Sequence, residues 1–228
     1  MVRGNHTGGP NSLEKLVPRF GKSIRAYLWS AHDSVELQVV EQLSFHTGQE
    51  WEAYAQVLLQ PSRPLLPDSV YELRVWRDAE NLFYLFRNGR PAPGKPRIPV
   101  YRWKVSAVAD TQSPVWTATP MVQELKYENN SEGTENYVLF TNPLRDSSAY
   151  LIRATVREVQ SGEQTTMYIN PWQGLLPIGW FTCGGAVRFK SEAAYTVRFE
   201  AIDAAGNRAS ASGSPIPFRA PKRVNCCW

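Results

Sequence analysis

Nucleophilic catalysis needs a hydroxyl or thiol beside a positioned base, and the residues able to form such a pair are sparse in this chain. All three histidines, His6, His32 and His46, fall in its first fifth, and no Gly-x-Ser-x-Gly elbow occurs. Cys183 precedes two glycines. That context suits a nucleophile met by a distant histidine, and equally a compact turn that holds a buried or disulfide-bonded sulfur. Cys226 and Cys227 are adjacent near the end of the chain. In an oxidising compartment one of them pairing with Cys183 would tie that segment down, whereas an unpaired couple suits a redox or lipid-modified tail. No histidine neighbours the cysteines at zinc-finger spacing.

Glycoside hydrolysis asks for two carboxyl groups at a set separation. Glu132 with Glu135, or Asp146 with Glu158, supply the residue types, but solvated loops and strand edges account for them as well. Asp110 and Asp203 are placed where a hard cation could collect oxygen ligands. No loop of alternating acids accompanies them, so no metal site is assigned. Neither a phosphate-binding loop nor the dinucleotide glycine fingerprint is present, and no cofactor is expected.

Aromatic residues are the richer signal: eight Trp, ten Tyr and nine Phe exceed what closing two small cores requires. Trp172, Leu175 and Trp180 fall in one long connection between Asn170 and Gly185. Exposed, they form a candidate binding surface, with Trp172 and Trp180 stacking on a sugar face or anchoring a protein. Folded back, Trp172, Leu175, Ile178 and Trp180 would instead seal one end of a core. Trp29, Trp51, Trp76 and Trp103 read as core or sheet-face residues, and Trp116 as packing between domains or opening a second core.

The elements that must position these residues are strands. Tyr195, Val197, Phe199 and Ala201 alternate with Thr196, Arg198 and Glu200, the period of a half-buried antiparallel strand, and Gly206-Asn207 follows where the chain must reverse. Tyr71, Leu73 and Val75 alternate with Glu72, Arg74 and Trp76 in the same way. Further strands are predicted at 24–29, 35–42, 54–59, 82–86 and 99–107, with Asn88-Gly89 as a turn, then at 121–127, 137–140, 150–159, 165–169 and 186–189. No stretch carries a capped helical period, so the fold class is all-β. Residues 1–22 read as a flexible lead-in, 23–109 and 114–220 as two antiparallel β-sandwiches with a connector between them, and 221–228 as a tail. Tyr71 and Tyr195 each stand where a crossing loop enters a strand, the setting of a tyrosine corner.

With 25 basic against 21 acidic residues scattered along 228 positions, the net charge of +4 makes no patch, and nucleic acid is not an expected partner. No run approaches the 18 to 20 apolar residues of a membrane span, and no secretory signal is visible at the start.

The stretch Pro64-Leu-Leu-Pro67-Asp-Ser-Val-Tyr71 resembles the Leu-x-Pro-(Asp/Gly)-x-x-Tyr pattern of bacterial Ig-like domains, and Asp203-Ala-Ala-Gly206-Asn207 after Tyr195 is similar to the closing hairpin of another. The resemblance implies two tandem immunoglobulin-like domains in a bacterial surface or extracytoplasmic protein. It implies a non-enzymatic module that presents loops to a protein or a cell-envelope component, or to a glycan if the module is a carbohydrate binder. The long connection from Asn170 to Gly185 departs from a plain spacer.

Overall fold

A computed structural model of the protein describes residues 2–5, 17–45, 54–77, 80–81, 102–131, 133–182, 184–209 and 213–224. It is all-β. Every pairing between named strands is antiparallel, and the helical element among the described residues is one 3₁₀ turn. No helix of the described residues is long and apolar enough to cross a membrane. The chain forms two compact units, Met1–Ala109 and Asp110–Trp228.

Unit 1 contains β1 (Val2–Asn5), the 3₁₀ turn (Val17–Arg19), β2 (Ile24–Trp29), β3 (Ser34–Phe45), β4 (Tyr54–Pro61), β5 (Val70–Arg77), β6 (Glu80–Asn81) and β7 (Arg102–Lys104). They make one sheet in the order β1-β4-β3-β2-β5-β6, with β7 also on β5. The alternation along β2 and β5 puts Ile24, Ala26, Tyr71 and Val75 inward, each at most 1% exposed. Val57 and Ala55 of β4 join this core. On the opposite face Arg74 lies over the Trp29 ring at 4.3 Å and pairs with Glu72 at 3.1 Å.

The lead-in expected over residues 1–22 is corrected at 2–5 and 17–22, and the rest of it lies outside the described residues. Val2–Asn5 pairs with β4, and Val17 and Phe20 are core residues. In a 3₁₀ turn residues i and i+3 eclipse, so Val17 and Phe20 present one apolar face to the sheet. Strand β3 is shaped to receive them. A bulge between Val39 and Glu41 leaves Val40 without a partner and shifts the alternation by one, which brings Gln42 opposite the buried Val57. The Gln42 amide then donates to the carbonyls of Val17 and Phe20 at 3.0 and 3.2 Å.

Of the expected strand at 99–107, Arg102–Lys104 is strand and 105–107 is not, while 99–101, the expected strand at 82–86, the Asn88-Gly89 turn and Trp51 lie outside the described residues.

Unit 2 contains β8 (Val115–Trp116), β9 (Val122–Asn130), β10 (Gly133–Thr141), β11 (Leu144–Arg145), β12 (Tyr150–Glu158), β13 (Gln164–Ile169), β14 (Leu175–Phe181), β15 (Gly184–Gly185), β16 (Ala194–Asp203), β17 (Arg208–Ala209) and β18 (Ile216–Arg219). One sheet runs β15-β14-β10-β9, a second β13-β12-β16-β17 with β18 also on β16, and β8 pairs with β11. Inward residues of the two larger sheets meet. Phe140 of β10 makes edge contacts with Phe199 and Phe218, both at 5.4 Å, and Phe189 with Tyr195 at 5.0 Å. Such edge-to-face pairs add roughly 0.5–1.5 kcal/mol each beyond their burial. Trp116, half-buried, joins this core with its ring 6.4 Å from Phe199.

Three expectations change here. Ala186, Val187 and Phe189 are buried but form no strand. They cover the core as a loop, anchored where the Asn136 amide donates to the Phe189 carbonyl at 2.8 Å. The segment read as a connector is held by unit 2, because Pro114 is buried and Asn207 Nδ2 donates to the carbonyls of Asp110 and Gln112 at 3.0 and 3.2 Å. The tail read from 221 onward is tied at its start: Pro221 is buried and Arg223 N–H donates to Ser191 Oγ at 2.9 Å.

Each tyrosine receives a backbone N–H from five residues upstream: Leu66 N–H donates to the Tyr71 hydroxyl at 3.0 Å, and Lys190 N–H to the Tyr195 hydroxyl at 3.1 Å. Beside Tyr195, the Glu158 side chain is almost sealed and accepts from Lys190 Nζ at 2.5 Å and Ser161 Oγ at 2.7 Å. The Lys190 ammonium, and then the Ser161 hydroxyl, hold its carboxyl below the ordinary Glu range. A depressed carboxyl stabilises the fold above the unfolded value near 4.3 and loses that contribution as pH falls through the folded value. Thermal melts from pH 7 to pH 3 should therefore show unit 2 weakening below about pH 4.3, and Glu158→Gln should flatten that slope. A variant with the parent's slope would remove Glu158 from this role.

Candidate functional site

Five strand ends converge at one end of unit 2: the exits of β10 and β16 and the entries of β9, β12 and β14. The register brings Thr141 opposite Leu175, and Tyr150 opposite Asp203. Asn142 stitches these ends together. Its N–H donates to the Gly174 carbonyl at 3.1 Å, and its amide donates to the Tyr150 hydroxyl at 2.8 Å.

Trp172 stands at this rim on a tight turn. Its N–H donates to the Leu175 carbonyl and the Leu175 N–H donates back to the Trp172 carbonyl, both at 2.9 Å. The two central residues, Gln173 and Gly174, have φ of 50° and 76°, the positive pair that defines a type I′ turn. Trp172 is 57% exposed although its backbone is fixed. Met121, 66% exposed, belongs to the same end, where its N–H donates to Thr141 Oγ1 at 2.9 Å.

The connection expected between Asn170 and Gly185 is corrected by this arrangement. Its middle is β14, which lines the core with Leu176, Ile178 and Trp180. Trp172 bridges Leu175 directly and so shares its face, while Trp180, five residues further along, points to the other face. Trp180 is 5% exposed and its ring lies under the Arg188 guanidinium at 4.0 Å. The two rings therefore form no common platform. Leu175 is half-buried between them.

Strand β14 escapes a pattern-based reading because Pro177 and Gly179 interrupt it. Pro177 is tolerated where β14 has no strand beyond it, since β15 pairs at Trp180 and Phe181. Gly179 is demanded by a close approach, since a Cβ there would sit 2.4 Å from the Asn136 carbonyl oxygen.

Where β16 ends and β12 begins lies a group of three acids. Asp110, Asp146 and Asp203 each offer a carboxylate oxygen, and these oxygens all lie within 4.8 Å of one another. Local sequence holds each one. Gln112 N–H donates to Asp110 Oδ1 at 3.0 Å, and Ser148 donates to Asp146 Oδ1 from its N–H at 2.7 Å and its hydroxyl at 3.0 Å. Asn207 donates to both oxygens of Asp203, each at 2.8 Å. The reversal after β16 uses Gly206 at φ 95°, which frees Asn207 to act as a clamp reaching Asp203, Asp110 and Gln112. Asp110 and Asp203 were legible as oxygen donors near the ends of elements, but Asp146 joins them through folding alone.

Of the carboxylate pairs weighed for hydrolysis, Asp146 and Glu158 do not assemble. Asp146 precedes the first residue of β12 and Glu158 is its last, a strand length of about 26 Å. Glu135 is bound to Lys126 at 2.6 Å and to Thr182 at 3.1 Å, and Glu132 lies outside the described residues. His32 lies in the β2–β3 turn of unit 1. Cys183, Cys226, Cys227, His6 and His46 also lie outside the described residues. No protein-family model matches the chain, and no curated protein matches it in sequence.

Proposed function

We propose that the chain is a tandem pair of Ig-like β-sandwiches acting as a non-enzymatic interaction module of a bacterial surface or extracytoplasmic protein. Its binding partner is a protein or cell-envelope component, and the contact is the rim of unit 2. The observation that carries this reading is Trp172, a large exposed ring on a backbone pinned by two reciprocal hydrogen bonds. An aromatic anchor presented on a rigid turn loses little conformational entropy when a partner covers it. The Ig-like assignment draws support from the corner tyrosines, one in each unit, each bonded to the backbone five residues earlier.

Trp172→Ala tests the reading. The ring packs on the outside, so melting temperature should stay within about 2 °C of the parent, as for surface substitutions. Binding to an immobilised envelope fraction, followed by biolayer interferometry, should weaken at least tenfold, the effect of removing a hot-spot aromatic at roughly 1.4 kcal/mol or more. Equal binding by parent and variant would refute the rim as the contact. A glycan partner is the alternative reading, now resting on a single ring, and a glycan array read by Trp fluorescence separates it from a protein partner.

A further inference from the structure

We infer that β9 is an edge onto which a partner protein adds an extended strand that alternates apolar with basic residues. Among the described residues β9 ends its sheet and pairs with β10 alone. Residues directly opposite on paired strands share a face, which groups Val122 with Phe140 and Leu176, Leu125 with Val138 and Ile178, and Tyr127 with Asn136 and Trp180 on the core side. The members on β10 and β14 are at most 9% exposed, whereas Val122 and Leu125 are 41% and 48% exposed. The cover of the core thus ends at β10, and the core-side face of β9 is left half open.

The backbone of this edge is open as well. Hydrogen-bonded pairs alternate along an antiparallel ladder, and Asn130 against Gly133, next to the turn, is one of them. Lys126 and Glu128 therefore direct their N–H and C=O groups to β10, while Leu125, Tyr127 and Asn129 direct theirs outward. The register skips Gln123, a bulge that leaves 124–130 as the regular template. Charge decides what fits it. On the outer face Glu124, Glu128 and Glu135 stand against Lys126 alone, and Lys126 is already bound to Glu135 at 2.6 Å and to Glu128 at 3.0 Å. A second copy set edge to edge would bring two such acidic faces together. A strand with Lys or Arg at its outer positions and apolar side chains beside Val122, Leu125 and Tyr127 matches both faces, and its main chain completes the ladder.

The template runs away from the rim that holds Trp172, so the two contacts can be tested apart. A capped peptide as long as 124–130, alternating lysine with valine, is titrated at low salt into the isotope-labelled full chain and followed by amide chemical shifts. It should move the amides of Leu125, Tyr127 and Asn129, and bind at least roughly tenfold tighter than the same peptide with glutamate in place of lysine. Its fully N-methylated form keeps the charge but cannot donate to β9, and should not bind. Glu124→Lys combined with Glu128→Lys should weaken the lysine peptide at least roughly tenfold, whereas Trp172→Ala should leave its affinity unchanged. The N-methylated control needs no variant, which keeps the test decisive if the double substitution folds poorly. No shift along β9, or equal binding by the glutamate or N-methylated peptide, overturns strand addition by a basic partner. A dimer of the free chain in analytical ultracentrifugation that Leu125→Lys dissociates would give the edge to a second copy and overturn the partner inferred here.

Discussion

Replacing Gly179 with alanine should destabilise unit 2 by roughly 3 kcal/mol or more, the sum of a strained backbone and an overfilled contact. Gly179 has φ of 134°, a conformation L side chains rarely adopt. A Cβ at this position would sit 2.4 Å from Asn136 O and 2.6 Å from Tyr137 Cα, backbone atoms of the neighbouring β10 that cannot swing aside. The same spot is crowded from the other side, where a Cβ on Gly185 would lie 2.0 Å from the Gly179 carbonyl oxygen. The melting transition of unit 2 should fall by roughly 10 °C or more. Gly174→Ala is the matched control. Its φ is also positive, at 76°, but nothing lies within 4 Å of the added carbon, so it should cost only about 1 kcal/mol. If the two variants melted together, the close approach of β14 and β10 would be refuted.

Removing the Tyr71 hydroxyl should weaken unit 1 by roughly 1–2 kcal/mol, more than the same change at Tyr195 weakens unit 2. The Tyr71 ring is fully buried, and its hydroxyl makes two bonds: it accepts from Leu66 N–H at 3.0 Å and donates to Asp33 Oδ2 at 2.7 Å. Asp33 is gripped in turn by the Arg63 guanidinium, so the hydroxyl links the proline-rich crossing, the β2–β3 turn and the entry to β5. Arg63, and then Tyr71, hold the Asp33 carboxyl below the usual carboxylate range. Tyr71→Phe leaves the Leu66 N–H without its acceptor, the costly half of a broken bond. Tyr195 makes the single bond from Lys190 N–H, so Tyr195→Phe should cost about 1 kcal/mol. Urea unfolding of the full chain, followed by probes specific to each unit, separates the two effects. Equal losses at the two sites would deny Asp33 its part in the corner.

The rim site has the same logic as these structural contacts. Gly206 and Asn207 are visible in the chain as a reversal signal, yet the greater consequence is where the Asn207 amide goes, to carbonyls almost a hundred positions earlier. Asp146 is four residues from the start of β12 and unremarkable by spacing. Its significance arises because β12 pairs with β16 in a register that sets Tyr150 against Asp203. The same holds for Trp172 and Trp180, neighbours in sequence that folding sends to opposite faces of one sheet.

The amino-acid order alone carried the all-β class, the alternation of β5 and β16, the positions of β2 and β12, and the two tyrosines that enter strands from crossing loops. These are local properties: a side chain every second position faces the same way, and a loop residue's conformational preference acts over a few bonds. What required the folded molecule was everything that depends on neighbours distant in sequence. The bulge in β3 reverses an alternation to suit the 3₁₀ turn, β14 exists despite a proline and a glycine because β10 pairs with it, and three aspartates from three segments share one corner. Long-range pairing can override local preference because each contact is repaid by burial and hydrogen bonds that no short window of residues can express.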